Sequence, residues 1–534
     1  MTVQGEAGEG VDIRALLRPE AWSHPVDALE LVETHVSWVV LTGAFAYKIK
    51  KPVRFDFVDA SSLATRKRLC EEELRLNRRL AGEIYLDVVP ITAVAGGGLR
   101  VGCRGPAVEY AVRMRQFDRN DELPVLLEHG AIDTVDMANL GARLAEYHES
   151  APAVAAGERA GSYDQVASLL LDNVASLRRV LGEEPDTCEL LAEIDGWIRR
   201  ELERRRGVIE ARKAKGRVRE CHGDLHAGNV VRVGGRLLAF DALEFNPLLR
   251  WTDVAADIGF MHMDLRARGH GGLASVLLDA WLDASGDYDM LRVLRLYEVH
   301  RALVRAKVDA IGLGTLANRR RPALRTRLDD RLATAASLLH PRGPALVLMH
   351  GPSGSGKSWF SERLVPSLGA VRVRSDRERK RLAGAGTRDA APGADAGALY
   401  TEEATASTYA RLYECADAAL DGGWNVILDA TFLDAGQRDA CRELTVRHGA
   451  HLLIADCVAD IDTLVERVAR REREGRDPSD ASRDVLARQL EAGTSLGETE
   501  QDVTVRVDTR DPAAIGQVCR RVAAAQVEVP DGSR

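Results

Sequence analysis

Gly351-Pro352-Ser353-Gly354-Ser355-Gly356-Lys357-Ser358 constrains this chain more than any other stretch. It fits GxxxxGK[ST] without a gap, directly after the apolar run Ala345–Met349 and at the start of a helical pattern, Ser358–Leu364. A strand, a glycine turn and a helix in that order demand a parallel sheet of βαβ units. Glycines let successive N–H groups curl around an anion, and the helix start adds its positive end. Lys357 is then placed to neutralise β- and γ-phosphates, and the Ser358 hydroxyl to ligate Mg²⁺.

The remaining strands of this half read as Val371–Arg374, Asn425–Leu428 and Leu452–Cys457. In parallel sheets ligands gather at the carboxyl ends of strands. Asp376, just past the second strand, is therefore a candidate general base for an acceptor hydroxyl, or else a helix cap for Arg377–Leu382. Asp429 closes the run Val426-Ile427-Leu428 and is placed to hold Mg²⁺. Arg467 and Arg471, on a later helix, are either closing residues for the phosphates or ordinary solvated arginines. Ala383–Gly397, rich in Ala, Gly and Asp, reads as a loop beside the phosphate site.

The break at His340-Pro341-Arg342-Gly343-Pro344 divides the chain into 1–340 and 341–534. The first part begins with strands near Ser37–Leu41, Ala46–Lys50, Leu86–Thr92 and Val108–Met114 around a helix between Ser61 and Leu80, capped by Ser61 or Ser62. The pattern implies a small five-stranded lobe. Amphipathic segments Val135–Glu149, Gln165–Leu181 and Cys188–Arg206 follow, and a strand–loop stretch, Arg217–Phe245, interrupts them. The fold class is thus multidomain, mixing α+β and α/β.

That interruption holds the second chemical signal, Cys221-His222-Gly223-Asp224-Leu225-His226-Ala227-Gly228-Asn229. Asp224 and Asn229 have the spacing of a phosphotransfer loop, a base for the acceptor hydroxyl and an amide oxygen for a metal. The apolar strand Leu237–Phe240 then ends in Asp241, a second metal ligand. His222 reads as a brace for the loop; His226 fits either a brace or a chemical role.

The first part resembles the aminoglycoside phosphotransferase and choline-kinase-like family through these residues, over about Val36 to Leu339. The resemblance implies a two-lobed protein-kinase-like fold. It makes Lys48 of Ala46-Tyr47-Lys48 the lysine on the α- and β-phosphates, with Lys50 on the same strand face as the alternative, and pairs it with Glu73, or Glu72. Met114-Arg115-Gln116-Phe117 becomes the hinge for adenine, and Asp253 and Asp257 support the catalytic loop. One departure stands out: the cover loop between the first two strands is reduced to Thr42-Gly43-Ala44-Phe45, without GxGxxG. The second part resembles P-loop small-molecule and polynucleotide kinases, including zeta-toxin-like ATP-binding proteins. That likeness rests on GPSGSGKS, Arg374-Ser375-Asp376, Val426–Thr431 and Asp477–Ala481.

The expected activity is a bifunctional kinase using ATP and Mg²⁺ on hydroxyls of small-molecule acceptors. The alternatives are one kinase regulated by an ATP-binding module, or an aminoglycoside-inactivating kinase. Asp118, Asp121 and Glu122 near the hinge are too few to define an acidic pocket for a polycation. Lys+Arg of 73 against Asp+Glu of 81 gives a net charge of −8, which argues against a nucleic-acid partner. The basic run Arg199–Arg219 reads as a solvated helix face. No apolar run nears the ~18 residues of a membrane span, and the first residues lack a secretory pattern. The eight scattered cysteines form no metal motif, which fits a cytoplasmic protein.

Overall fold

A computed structural model describes residues 11–55, 58–94, 98–182, 184–315, 321–384, 401–474, 483–491 and 495–527. They pack into two compact units. One comprises Met1–Ile132, Ser150–Gly161 and Gly216–Asp257; the other comprises Asp133–Glu149, Ser162–Lys215 and Ile258–Arg534.

The first unit is built on an antiparallel sheet of six strands: β1 (Glu30–Glu33), β2 (Ser37–Leu41), β3 (Phe45–Lys50), β4 (Tyr85–Val94), β5 (Gly98–Val101) and β6 (Ala107–Arg115). Their spatial order is β1-β2-β3-β6-β4-β5. Helix α1 (Leu63–Ala81) starts at Ser62, whose hydroxyl accepts from Thr65 N–H and so settles which serine caps it. Alternation along β3 sends Tyr47 and Ile49 into a core with Ile13, Leu16 and Ile91, and Ala46 into one shared with Tyr85 and Val112. Lys48 and Lys50 therefore lie on the Ala46 side. The strands β7 (Val230–Val233) and β8 (Arg236–Ala239) form a hairpin in which Val230 pairs with Ala239, so the 221–229 loop and Asp241 emerge side by side at its open end.

Two strands here escape the sequence pattern. The four strands located in sequence are β2, β3, β4 and β6; β1 and β5 bring the sheet to six, one more than the five expected. The turn joining the first two strands is accordingly Thr34–Val36, and Thr42–Ala44 joins β2 to β3. That second turn is tied down, since Gln116 Oε1 accepts from Thr42 N–H at 3.0 Å and Gly43 N–H at 2.9 Å.

The second unit begins with helices α2 (Thr134–Ser150), α3 (Tyr163–Leu181), α4 (Pro185–Ala214), α5 (Val254–Ala267, whose first residues, through Asp257, belong to the first unit), α6 (Gly271–Ser285), α7 (Leu291–Thr315) and α8 (Arg321–Ser337). A five-stranded parallel sheet follows, β9 (Ala345–His350), β10 (Ala370–Arg374), β11 (Asn425–Asp429), β12 (His451–Val458) and β13 (Thr504–Asp508), with helices α9 (Lys357–Leu368), α10 (Ser375–Leu382), α11 (Glu402–Asp421), α12 (Ala435–His448) and α13 (Ile461–Glu474) between its strands. The order is β10-β11-β9-β12-β13, so the fully buried β9 is central and delivers Gly351 at its carboxyl end. β13 is a further strand beyond those read from sequence. The basic run on α4 is only partly solvated: Arg205 and Arg212 are buried and pair with Asp421 and Asp287. Among the described residues, no helix is long and apolar enough to cross a membrane.

Candidate active sites

In the first unit the polar centre grows from β3. Lys48 Nζ lies 2.8 Å from Glu73 Oε1 and also contacts Asp241, while Lys50 Nζ lies 2.5 Å from Glu73 Oε2 and also contacts Glu244. One fully buried carboxylate thus serves both lysines. Burial by itself would depress Lys48, but Asp241, Glu73 and Glu244 outweigh it and hold its ammonium well above the usual value. Asp241 is driven the other way: burial opposes its charge, and Lys48 and Lys50 lower its pKa. Lys48 faces a cavity of about 310 Å³, whereas Lys50 stays beneath it. Glu72 turns instead to Arg75 and Arg250.

The 221–229 loop is held by its backbone. Asp257 accepts from His222 N–H at 2.7 Å and Gly223 N–H at 2.9 Å. His222 Nε2 lies 2.9 Å from Phe240 O, and Nδ1 accepts from Asp224 N–H at 3.3 Å. A carbonyl can only accept, so Nε2 carries the hydrogen. Burial lowers the His222 pKa, against Asp257 and Asp224, which favours this neutral bracing form. His226 Nδ1 accepts from Gly228 N–H, and its Nε2 lies 3.6 Å from Asp224 Oδ2. Asn229 Nδ2 donates to Asp224 O at 3.0 Å and Oδ2 at 3.2 Å. With its nitrogen so engaged, Asn229 offers its oxygen to a cation. Asp241 adopts φ +63°, a left-handed backbone that bulkier residues avoid.

The cavity joins these groups to an apolar wall of Val39, Leu41, Met114, Phe117 and Phe240. Val32 and Thr34, from the unanticipated β1 and its turn, also line it. A wall for a flat base beside a lysine and an oxygen-donor pair suits a nucleotide with a hard cation.

In the second unit the loop after β9 closes on itself. Gly351 and Gly356 have φ of +125° and +92°. A Cβ would stand 2.6 Å from Cys457 O at the first and 2.5 Å from Thr509 Oγ1 at the second, so only glycine keeps the cradle open. Lys357 Nζ donates to Pro352 O at 2.8 Å, and Ser353 N–H to Gln489 Oε1 at 2.8 Å. Ser355 is fully buried, and its carbonyl accepts from Thr509 Oγ1 at 3.1 Å. A cavity of about 240 Å³ brings together Gly354, Lys357, Ser358, Asp376 and Asp429. Asp429 is buried, and its Oδ2 lies 3.0 Å from Ser361 Oγ. Ring-like N–H donors, a lysine and a hydroxyl beside a carboxylate suit a phosphate chain with a divalent cation.

Asp376 stands in the first turn of α10 (Ser375–Leu382) and faces the cavity. Arg467, on α13 (Ile461–Glu474), does not line the cavity but donates to Gly354 O at 3.0 Å. The side chain of Arg471, the loop Ala383–Gly397 for the most part, and Asp477–Ala481 lie outside the described residues. Sequence reading missed Arg379, which lines the cavity one helical turn after Asp376. The i, i+3 spacing on α10 was the available signal.

Residues 346–495 match the family model described as an AAA domain. An uncharacterized protein of Mycobacterium tuberculosis is 27% identical over 500 residues, which cover 93% of this chain and 96% of that protein; one from Mycobacterium bovis gives the same figures. Among solved structures, a choline/ethanolamine kinase family protein from Mesorhizobium loti aligns over 60% of this chain and 90% of its own, with 13% identity and a TM-score of 0.36. A putative kinase from Chloroflexus aurantiacus aligns over 34% and 98%, with 22% identity and a TM-score of 0.28. The P-loop and most of its parallel sheet thus fall in the stretch that matches the AAA domain, while the antiparallel sheet and the 221–229 loop lie outside it.

Proposed function

We propose that the chain is a bifunctional phosphotransferase, with two sites that each pass the γ-phosphoryl group of ATP to a hydroxyl of a small-molecule acceptor. The division of labour follows the break near 340, with 1–340 carrying one chemistry and 341–534 the other. One observation carries the reading: each site sets a lysine and metal-side oxygen donors around a single cavity, with the candidate base Asp376 on the wall of the second and Asp224 bonded to Asn229 of the first. Magnesium-bound ATP supplies the electrophilic phosphorus when it binds.

In the first site Lys48 holds the α- and β-phosphates and Glu73 keeps its ammonium aimed. Asp224 takes the acceptor proton, and the amide of Asn229 fixes the carboxylate that does so. Asn229 Oδ1 and Asp241 hold the cation. In the second site the backbone of Gly351, Pro352, Ser353, Gly354, Ser355 and Gly356 wraps the phosphates while Lys357 neutralises them. Ser358 and Asp429 hold the cation, Asp376 acts as base, and Arg467 steadies the loop from α13 through Gly354 O.

The test is transfer from γ-labelled ATP into a metabolite pool, run on the parent protein and on the Asp224→Ala and Asp376→Asn variants. Distinct labelled products should vanish in each variant, with loss of about a hundredfold or more. A product lost in neither variant, or every product lost in one, contradicts two independent chemistries.

A further inference from the structure

β10 is an edge of the parallel sheet, and an edge strand leaves the outward N–H and C=O of alternate residues to be satisfied elsewhere. At Arg372 both are taken by the helical segment ahead of the break. Asp279 Oδ1, on α6, accepts from Arg372 N–H at 2.6 Å, and Tyr288 Oη donates to Arg372 O at 2.9 Å. The other Asp279 oxygen lies 3.6 Å from the Arg372 guanidinium, which is thereby held on one side.

The guanidinium faces the phosphate site on its other side. Arg372 Nη1 donates to Ser358 O at 3.3 Å and to Ser361 Oγ at 3.4 Å. Ser361 Oγ has one hydrogen and two acceptors in reach, Ser358 O at 3.1 Å and Asp429 Oδ2 at 3.0 Å. Because Arg372 supplies Ser358 O and also donates to Ser361 Oγ, the serine hydrogen goes to Asp429. Asp279, Arg372, Ser361 and Asp429 are all buried, so water does not substitute for any of them.

We infer that Asp279 is a positioning residue for the P-loop site, acting through Arg372 and Ser361 to hold Asp429 where it meets the cation. The inference rests on the P-loop reading above, and it makes that site depend on a residue outside the stretch 346–495.

The test uses the full chain carrying Lys48→Ala, which silences the first site, and follows a non-hydrolysable ATP analogue by calorimetry across a Mg²⁺ titration. Asp279→Asn keeps an oxygen for Arg372 N–H and removes only the charge. The half-saturating Mg²⁺ should rise roughly tenfold, with metal-free nucleotide affinity unchanged. Ser361→Ala should act in the same direction, and the double variant should add little to either. Ser361→Ala also carries the test should Asp279→Asn fail to fold. Tyr288→Phe, which loses only the edge contact, should lower the melting temperature and leave the Mg²⁺ dependence alone. A Mg²⁺ dependence unmoved by Asp279→Asn or Ser361→Ala, with Lys357→Ala still abolishing binding, overturns the positioning role alone. Binding insensitive to Lys357→Ala overturns the P-loop reading and the inference with it.

Discussion

Glu73 is the residue on which the first site balances. Each of its oxygens faces a buried lysine, so its removal leaves two ammonium groups short of a counter-charge. Glu73→Gln should cost about 3 kcal/mol or more in urea unfolding, against about 1 kcal/mol or less for Glu72→Gln, whose side chain is 26% exposed. Equal costs would mean that the helix, and not the shared carboxylate, is what the lysines need. Among described residues, only Asp241 and Phe432 combine a side chain with positive φ, at +63° and +46°. Both lie at or within three residues of a proposed metal carboxylate, and tertiary contacts hold each strained backbone. Phe432 N–H donates to Tyr409 Oη at 3.3 Å and Asp241 N–H to Tyr85 Oη at 3.2 Å.

Elements differ in how plainly the sequence announces them. The P-loop and the 221–229 loop were legible because their chemistry is contiguous, and β9 because every residue in it is buried. β1 was not: its four residues begin and end on exposed glutamates, and pairing with β2 alone defines it. β13 is hidden by Arg506, which points to solvent from the middle of the strand. Arg205 and Arg212 looked solvated because their acidic partners lie 216 and 75 residues away along the chain. Lys48 and Lys50 share a strand face by alternation, but no periodicity shows which of them borders a cavity. For the P-loop itself, Gly356→Ala should abolish nucleotide binding at that site, since the new methyl meets Thr509, while Lys48-dependent binding persists. Equilibrium binding to the single variant reads both effects. In the helices, His300 is buried against Asn173, and burial, with Arg301 and Lys307 nearby, pushes its pKa down from 6.5 to about 3. The native state therefore favours the neutral ring: its contribution is complete above pH 6.5 and is lost as pH falls toward 3. His300→Gln should flatten the pH dependence of stability across that window by a few kcal/mol, about what so large a shift is worth. Parallel curves for the two proteins would refute the assignment.

At the scale of the whole molecule, the net charge of −8 gives no general attraction for polyanions, so each nucleotide must be held by local devices. The two units supply different ones. The first sets a single lysine against carboxylates beside an apolar wall; the second wraps backbone N–H groups at a helix start. Nothing in either device requires the other. The most direct measurement is the stoichiometry of a non-hydrolysable ATP analogue with Mg²⁺, by calorimetry on the parent, on Lys48→Ala, on Lys357→Ala and on the double variant. Two equivalents for the parent, one for each single variant and none for the double are expected; a single equivalent in the parent, or two in either single variant, would contradict two independent nucleotide sites.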